Sequence, residues 1–266
     1  MQGYIIDLDG TLYRGNTLIA YASDFIHMLQ ANDFPYLLMT NNSTRTNTDI
    51  ADHLIRMGIR ITPEYIYTSA QASAEYMKHL HKGQVVYCIG EDGLKDALKE
   101  QGFIVIEEHD ELQIPDYVVQ GLDRQLHYNQ IRKAVNYIRG GAVFINTNPD
   151  RLFPSEDTLH PGAGTIAASI QYATQVEPVM IGKPSPIMIT CAIRHLGVPR
   201  QDVWMIGDNL ATDIQGGAGV GCKTALVLTG LATKENVQDQ INETSIHPDL
   251  ICRNLREFAI AIGYPL

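Results

Sequence analysis

The sequence predicts an α/β protein: a Rossmann-like core, in which a parallel sheet carries helices on both faces, and an inserted, smaller α/β cap domain. Short β-prone apolar segments alternate along the chain with segments whose apolar residues recur at helical spacing. Several apolar segments stop abruptly at polar or acidic residues, which is typical of parallel strands that end at a binding edge. The alternation starts afresh after a polar link at residues 79–83, which indicates a second α/β domain.

These patterns assign the elements in chain order. The first part of the core is predicted to have strands near residues 4–6, 35–40 and 66–68 and helices near 21–30, 50–57 and 70–80. The cap is predicted to have strands near 85–89, 103–106, 117–119 and 143–145 and helices near 94–99, 131–138 and 165–172. The core then resumes with strands near 179–181, 203–207 and 223–228 and helices near 187–196 and 255–262. The predicted domains are therefore 1–79 and 179–266 for the core and 80–178 for the cap.

Composition narrows the classes of partner. The chain has 266 residues and a net charge of −10. Nucleic acids and anionic membranes require clustered Lys and Arg, so we expect a small substrate and neither a nucleic acid polymer nor a membrane. No apolar run is long enough to cross a bilayer, and a strand follows residues 1–3 directly, so we expect no signal segment and a cytoplasmic location. The four widely separated cysteines are expected to be reduced core thiols.

The first predicted strand ends on a pair of acids. Its apolar residues 4–6 stop at Asp7, and strand alternation points Asp7 and Asp9 to the same side. Gly10 permits a sharp turn that lets backbone N–H groups face the same spot. Two carboxylates this close cannot both stay ionised unless a cation joins them or one keeps a proton. On this segment alone, an ordinary strand with an Asp-Gly turn explains the pattern equally well.

Three further loops carry polar residues at strand ends. Residues 40–43 follow the second strand and precede a helix, so either an oxyanion cradle at the helix N-terminus or simple helix capping explains them. Lys183 lies in a loop between a strand and a helix, where most lysines are merely solvated. Asp208 and Asp213 flank the start of another helix, where an acid often serves as a cap or first-turn charge.

Taken together, these loops carry Asp-x-Asp, Thr-Asn, Lys and Gly-Asp in an order that resembles a hydrolase of the haloacid dehalogenase superfamily. The matching motifs are Asp7-Leu8-Asp9-Gly10-Thr11-Leu12, Thr40-Asn41-Asn42-Ser43, Lys183 and Gly207-Asp208-Asn209-Leu210-Ala211-Thr212-Asp213. Because the insertion lies between the second and third motifs, it resembles the large cap of the branch that contains nitrophenyl phosphatases, nucleotide monophosphatases and NagD-like proteins. The resemblance covers essentially the whole chain.

The resemblance implies a phosphatase mechanism. Asp7 would be the nucleophile that forms an aspartyl-phosphate, and Asp9 would act first as general acid and then as general base. Mg²⁺ would be the cofactor, held by the Asp7 carboxylate, the Asp9 main-chain carbonyl and the Asp208 carboxylate. The ion would relieve the repulsion between an anionic nucleophile and a phosphate dianion.

The resemblance also implies roles for the other motif residues. Thr40 and Lys183 would complete the catalytic set with Asp7 and Asp9. The implied phosphate-binding residues are Gly10, Thr40, Asn41, Asn42 and Lys183. Asn209 and Asp213 would order metal-bound water or the lysine from behind the metal ligands.

The cap is expected to read the leaving group and to close over it. Its substrate candidates are Asp123, Arg124 and Asn148, which lie in polar, turn-rich stretches. Arg124 is the most informative of them because a guanidinium can grip a second anionic group on a substrate. Structural turns and an exposed salt bridge are the competing explanations.

The predicted function is a Mg²⁺-dependent phosphatase acting on small phosphate monoesters, such as sugar, nucleotide or related metabolite phosphates. A phospho-accepting regulatory module combines similar residues, but Asp9 would hydrolyse the aspartyl-phosphate that such a module must keep. A dehalogenase or a phosphomutase could use the same nucleophile. The sequence leaves the physiological substrate and the oligomeric state open, with a homodimer through a cap edge as the assembly considered.

Overall fold

The computed structural model describes residues 1–106, 114–155 and 158–266. The strands in chain order are β1 (Gly3–Asp7), β2 (Tyr13–Arg14), β3 (Thr17–Leu18), β4 (Tyr36–Thr40), β5 (Ile66–Thr68), β6 (Val85–Ile89), β7 (Ile104–Ile106), β8 (Tyr117–Gln120), β9 (Val143–Asn146), β10 (Leu152–Ser155), β11 (Thr158–Pro161), β12 (Val179–Met180), β13 (Val203–Gly207), β14 (Lys223–Val227) and β15 (Leu250–Cys252). The helices are α1 (Ala22–Ala31), α2 (Asn47–Arg56), α3 (Ser69–Leu80), α4 (Asp92–Glu100), α5 (Tyr128–Arg139), α6 (Ala163–Thr174), α7 (Pro186–Leu196), α8 (Gln215–Val220), α9 (Val237–Thr244) and α10 (Leu255–Ala261). The predicted α/β class is confirmed.

The chain forms two compact units. The first comprises Met1–Thr40, Thr48–Tyr67 and Lys183–Leu266, and the second comprises Asn41–Asn47 and Thr68–Gly182. In the part of the chain that the structure describes, the larger sheet has six strands in the order β15-β14-β13-β1-β4-β5. β1 lies near its centre and is buried along its whole length, which explains why its sequence is apolar rather than alternating.

An aromatic cluster anchors β1 in the first unit. The ring of Tyr4 contacts the rings of Phe25 and Phe258 edge-on, each with a centroid distance of 6.4 Å. Trp204 on β13 contacts Phe258 in the same way at 5.4 Å. Edge-to-face aromatic pairs contribute about 0.5–1.5 kcal/mol beyond their buried area. The cluster therefore ties α1 and α10 to the two strands that carry the acidic motifs.

The second unit has its own sheet. Among the described residues this sheet has five strands in the order β12-β9-β8-β6-β7, and every neighbouring pair is parallel. A separate antiparallel hairpin consists of β10 and β11. Within this unit α3 packs against α4.

The units differ from the predicted domain boundaries in three places, one of which is Asn41–Asn47, expected in the core but part of the second unit. Residues 179–181 were expected to resume the core, but Val179 and Met180 pair with Ile145 and Asn146 of β9 in the second sheet. Helix α3 was expected in the core, yet it belongs to the second unit. β12 has only two residues, and a short apolar segment fits the edge of either sheet; α3 joins the second unit because it packs against α4. In both cases tertiary contacts decide. The expectation that the four cysteines are buried is met.

One finding bears on membranes. Within the described residues, no helix combines the length and the apolar character that a bilayer crossing requires.

Candidate active site

Three adjacent strands of the first unit end at one edge of its sheet. β1 ends at Asp7, β4 ends at Thr40, and β13 ends immediately before Asp208. Because β1 pairs in parallel with both β4 and β13, the carboxyl ends of the three strands are neighbours. The side chains predicted from the first, second and fourth motifs are therefore delivered to the same edge.

Lys183 lies at the centre of this edge. Its Nζ is 2.5 Å from Asp7 Oδ1 and 2.7 Å from Asp213 Oδ1, and it also contacts the main-chain oxygen of Met39 at 3.4 Å. Its side chain is 3% exposed. The competing explanation, that a lone loop lysine is merely solvated, therefore does not apply to Lys183. A buried ammonium requires paired carboxylates, and Asp7 and Asp213 provide them.

Three carboxylates surround the lysine. Oxygen atoms of Asp7, Asp208 and Asp213 all lie within 4.8 Å of one another, and all three residues are buried. The backbone N–H of Leu231 donates to Asp208 Oδ2 at 2.6 Å, which fixes that carboxylate. Asp213 accepts from Lys183 and from the backbone N–H of Asn209, the latter at 3.2 Å.

Glycines let the backbone approach these carboxylates closely. Gly10 has φ +82°, and a Cβ at Gly10 or at Gly230 would overlap the Asp208 carboxylate. A Cβ at Gly207 would likewise overlap the Asp213 carboxylate. The Gly10 N–H donates to the main-chain oxygen of Tyr13 at 2.8 Å. Close approach to Asp208, and not donation to a phosphate, is therefore the role of Gly10 that the geometry supports.

The pKa values of Asp7 and Asp208 are raised, chiefly because both carboxyl groups are buried. Burial, together with the charges of Asp213 and Asp208, raises the pKa of Asp7 well above its usual range, although Lys183 opposes the shift. Burial and the Asp213 charge raise the pKa of Asp208 to about 7. Burial alone would lower the pKa of Lys183, but Asp213 and Asp7 outweigh it and hold that pKa above its ordinary value. Lys183 therefore stays protonated. Its single positive charge would not balance the three carboxylates if all of them were ionised.

Asp9 lies on the turn that follows β1. Asp9 is exposed, whereas Asp7, two positions earlier, is buried. The hydroxyl of Tyr13 donates to Asp9 Oδ2 at 3.3 Å. Sequence reasoning missed Tyr13, because the contact depends on a turn that brings back a residue four positions away.

The second motif divides between the units. Thr40 ends β4 and is buried, whereas Asn41 and Asn42 belong to the second unit. Helix α2 begins only at Asn47, so residues 41–43 do not form the helix N-terminus that was predicted as an oxyanion cradle. The loop between β4 and α2 instead contains Asn41 and Asn42, both of which accept hydrogen bonds.

Both asparagines make local hydrogen bonds. The main-chain oxygen of Asn41 accepts from Ser69 Oγ at 2.6 Å and from Asn148 Nδ2 at 2.8 Å. Asn42 Oδ1 accepts from the N–H and the hydroxyl of Thr44, each at 2.8 Å, which is an Asx-type turn. Asn209 Oδ1 similarly caps the π-helical turn Leu210–Ile214 by accepting from the Ala211 N–H at 2.9 Å.

The substrate candidates of the second unit have partners within that unit. Arg124 makes a two-point contact with Glu91, Nε to Oε1 at 2.8 Å and Nη2 to Oε2 at 2.6 Å. Asp123 accepts from the Gln125 N–H and from Gln130 Nε2, at 2.9 and 3.2 Å. These contacts match the competing explanations, a salt bridge and a structural turn. Asn148 is buried, and the roles of all three in substrate binding stay predictions.

Comparisons with known proteins agree with this geometry. Residues 4–104 match the family model described as haloacid dehalogenase-like hydrolase, and residues 180–258 match one described as HAD-hydrolase-like. The chain is 39% identical over 242 residues to the 5'-nucleotidase YutF of Bacillus subtilis, which covers 91% of this chain and 93% of the relative. It is 42% identical over 240 residues to an acid sugar phosphatase of Staphylococcus aureus, with 90% and 91% covered.

Solved structures show the same similarity. A p-nitrophenyl phosphatase from Archaeoglobus fulgidus superposes with a TM-score of 0.91 at 31% identity, with 98% of each chain covered. NagD from Escherichia coli K-12 superposes with a TM-score of 0.87 at 30% identity, covering 96% of this chain and 97% of that one.

Proposed function

We propose that this chain hydrolyses small phosphate monoesters with Mg²⁺ and through an aspartyl-phosphate on Asp7. The chain belongs to the haloacid dehalogenase-like hydrolase family and is one of its phosphatases. The observation that carries the proposal is the buried cluster of the first unit, in which the ammonium of Lys183 contacts Asp7 and Asp213 and the Asp208 carboxylate lies beside these two acids. A nucleophile, a fixed cation and surplus acidic oxygens are the groups that phosphoryl transfer requires.

The acidic cluster fits a hard divalent cation. Its donors are all oxygens, and ionisation of Asp7, Asp208 and Asp213 would leave negative charge in excess over the single ammonium. Mg²⁺ takes oxygen ligands, and the side chains of Asp7 and Asp208 would hold it with the Asp9 carbonyl. When bound, the ion supplies the positive charge that lets an anionic nucleophile approach a phosphate dianion.

The protein's own groups account for the bond changes. A carboxylate oxygen of Asp7 bonds to phosphorus as the ester P–O bond breaks, and Asp9 gives its proton to the departing alkoxide. The deprotonated Asp9 then takes a proton from water, which attacks phosphorus as the bond between phosphorus and the Asp7 oxygen breaks; inorganic phosphate is released and the Asp7 carboxylate is regenerated. Lys183 orients the Asp7 carboxylate through its 2.5 Å contact and balances charge on the phosphoryl oxygens.

The remaining site assignments are part of the same proposal. Thr40 would hold a phosphoryl oxygen at the end of β4, and Asn41 and Asn42 stay predictions as phosphate ligands. Asp213 would keep Lys183 in position, which its 2.7 Å contact supports. A cytoplasmic location and a homodimer stay predictions.

The names of the relatives support the proposed substrate class. Nucleoside 5'-monophosphates and sugar phosphates are both phosphate esters of alcohols, and relatives of both kinds cover about nine-tenths of this chain. We therefore propose small phosphorylated metabolites of this chemical type. Relative rates across a panel of such esters measure whether the substrate preference is broad or narrow.

The test is a panel of hexose phosphates, nucleoside 5'-monophosphates and p-nitrophenyl phosphate, assayed for phosphate release with Mg²⁺ and with a chelator. The expected result is many turnovers that stop when the metal is removed and that are absent in Asp7→Asn. Release of a single equivalent of phosphate would favour a regulatory module. Halide release without metal from a 2-haloacid assayed beside the panel would favour a dehalogenase, and phosphate migration without release would favour a mutase.

A further inference from the structure

The turn after β1 brings an aromatic hydroxyl onto the carboxylate of Asp9. The backbone N–H of Leu12 donates to Leu8 O and that of Gly10 donates to Tyr13 O, both at 2.8 Å, and Asp9 forms a β-bridge with Tyr13. These contacts close the turn and align the side chain of Tyr13 with that of Asp9. The Tyr13 hydroxyl then reaches Asp9 Oδ2 at 3.3 Å. This distance is longer than is usual for an O–H···O hydrogen bond, as catalytic contacts often are before substrate binds.

The ring of Tyr13 is itself held in place. Tyr13 is 8% exposed, whereas Asp9 is exposed. The ring of His53, on α2, meets it edge-on with a centroid distance of 5.4 Å and an interplanar angle of 89°. His53 Nε2 lies 3.3 Å from the main-chain oxygen of Gly15, in the turn between β2 and β3. A buried, supported ring therefore presents the hydroxyl to the carboxylate of an exposed residue.

The hairpin formed by β2 and β3 is hydrogen-bonded to the loop that contains Leu231, the residue whose N–H binds Asp208. Arg14 Nε donates to Thr229 O at 2.8 Å, and the Thr229 hydroxyl donates to Gly10 O at 2.7 Å. Two residues further on, the Leu231 N–H holds Asp208. The position of Tyr13 is thus set relative to the acidic cluster by covalent neighbours and by direct hydrogen bonds within one unit.

We propose that Tyr13 is a positioning residue for proton transfer by Asp9, an inference that rests on the proposed function. A proton donor is effective only when it lies within hydrogen-bond reach of the leaving oxygen, so the orientation of the Asp9 carboxylate matters for catalysis. The Tyr13 hydroxyl restricts the rotation of the Asp9 carboxylate by binding Oδ2, which orients the other oxygen of that carboxylate. Tyr13 acts through Asp9 and does not itself bind the phosphoryl group.

This role predicts dependence on the leaving group. An alkoxide must be protonated as it departs, so hydrolysis of an alkyl phosphate depends on an oriented Asp9. p-Nitrophenolate is a stabilised anion that leaves without a proton. A structural role for Tyr13 would instead lower the rate with both kinds of ester, because the whole site would be distorted.

The experiment compares the wild type, Tyr13→Phe and Tyr36→Phe by kcat/KM with Mg²⁺, since this ratio reports the step in which the ester bond breaks. The substrates are p-nitrophenyl phosphate and either a hexose 6-phosphate or a nucleoside 5'-monophosphate, whichever alkyl ester the wild type hydrolyses faster. Tyr36→Phe is the matched control, because it removes a hydroxyl that binds Gln30 at the start of β4, the opposite end of that strand from Thr40. His53→Ala is the second variant, which leaves the hydroxyl but removes the ring that supports it.

Tyr13→Phe is expected to lower kcat/KM about tenfold or more with the alkyl ester and less than about threefold with p-nitrophenyl phosphate, because positioned proton transfer is worth about 100-fold to 10,000-fold. His53→Ala is expected to show the same selectivity with a smaller loss, and Tyr36→Phe to change neither value. Equal losses with both esters, or no loss with either, would overturn the role of Tyr13; if Tyr13→Phe does not fold, the selectivity of His53→Ala decides. A wild type that hydrolyses no phosphate ester would instead contradict the proposed function, and the inference with it.

Discussion

Two cation–carboxylate contacts in this molecule have nearly the same length but opposite surroundings. In the first unit Lys183 lies 2.5 and 2.7 Å from Asp7 and Asp213, and its side chain is 3% exposed. In the second unit Arg124 lies 2.6 Å from Glu91, and its side chain is 64% exposed. The contact distances alone would not distinguish the two contacts. Burial separates them, because water screens the surface pair and leaves the buried charges dependent on one another.

The comparison also separates the two pairs by their charge balance. Arg124 and Glu91 neutralise each other, and the pKa of Glu91 is lowered chiefly by its hydrogen bonds to Arg124. Lys183 must serve more than one carboxylate, and the pKa values of Asp7 and Asp208 are raised. A balanced exposed pair is a local structural feature. An unbalanced buried cluster requires a further cation, which is why we locate the chemistry there.

The largest effect is expected when the buried cation is removed. Lys183→Met approximately keeps the length of the side chain but leaves the Asp7 and Asp213 carboxylates without their cationic partner. Activity should fall on the order of a thousandfold, as for loss of a group that stabilises transition-state charge. The free energy of unfolding at pH 8 should fall by about 3–5 kcal/mol, the usual consequence of breaking a buried pair. Phosphate release and urea unfolding measure the two effects.

Lys99→Met is the matched control for that substitution. Lys99 contacts Asp96 at 4.0 Å, and both side chains are exposed. It should change the unfolding free energy by less than about 1 kcal/mol and leave activity intact. If Lys183→Met retained a tenth of the wild-type activity, Lys183 would not be part of the mechanism.

A smaller effect of opposite sign is expected from Asp208→Asn in the presence of a chelator. The pKa of Asp208 is about 7 in the folded protein, above its ordinary value of 3.8, so the folded state binds the proton more tightly. The contribution of this group to stability is therefore fully present below about pH 4 and is lost as pH rises to 7. Above pH 7 the variant should be more stable than the wild type by on the order of 2–4 kcal/mol.

Thermal unfolding at pH 5 and pH 8 measures that difference. Mg²⁺ should raise the melting temperature of the wild type at pH 8 and should not raise that of Asp208→Asn, because the ion binds only the folded site. Asp123→Asn, an acid of the second unit with local partners, is the control and should follow the wild type. Equal metal-induced stabilisation of both proteins would show that Asp208 is not a ligand.

An intermediate loss is expected from Gly230→Ala. The added Cβ would overlap the Asp208 carboxylate and displace it, so activity should fall about tenfold and stability by about 1–3 kcal/mol. Gly219→Ala is the control because no heavy atom lies within 4 Å of a Cβ at that position of α8. It should be neutral or should stabilise the protein by about 0.5–1 kcal/mol. Initial rates and urea titrations distinguish the two glycines, and indistinguishable variants would contradict the close-approach argument.

The smallest effect is expected at the surface pair. Glu91→Gln and Arg124→Gln should each lower the unfolding free energy by less than about 1 kcal/mol, and added salt should remove most of the difference. Urea unfolding at low and high salt tests this. A loss above about 2 kcal/mol that persists in high salt would mean that the exposed pair behaves like the buried one. A rise in KM confined to substrates with a second anionic group would support the predicted substrate role of Arg124.

The sequence predicted the parts of the site that depend on strand ends. Asp7, Thr40 and Asp208 each follow an apolar strand, and parallel pairing brings such positions together whatever the loops do. Lys183 was identified through its place among the motifs, although nothing local in the sequence signals that it is buried. The family, its NagD-like branch, the α/β fold class and the phosphatase class are confirmed by the comparisons.

What could not be predicted depends on the course of loops. The contact between Tyr13 and Asp9 requires a specific turn, and the pairing of Arg124 with Glu91 joins residues 33 positions apart. The two residues of β12 carry too little pattern to indicate which sheet they join. In each case the deciding interactions are tertiary, so periodicity and turn composition do not contain them.

The central claim is that Asp7 accepts the phosphoryl group, and trapping that intermediate tests it most directly. The enzyme is quenched with acid during steady turnover with Mg²⁺, reduced with borohydride and digested, and the peptide carrying position 7 is identified by mass spectrometry. Conversion of Asp7 to homoserine that requires substrate is the predicted result. Steady turnover with an unmodified Asp7, and a reduced carboxyl at a different residue, would contradict the account.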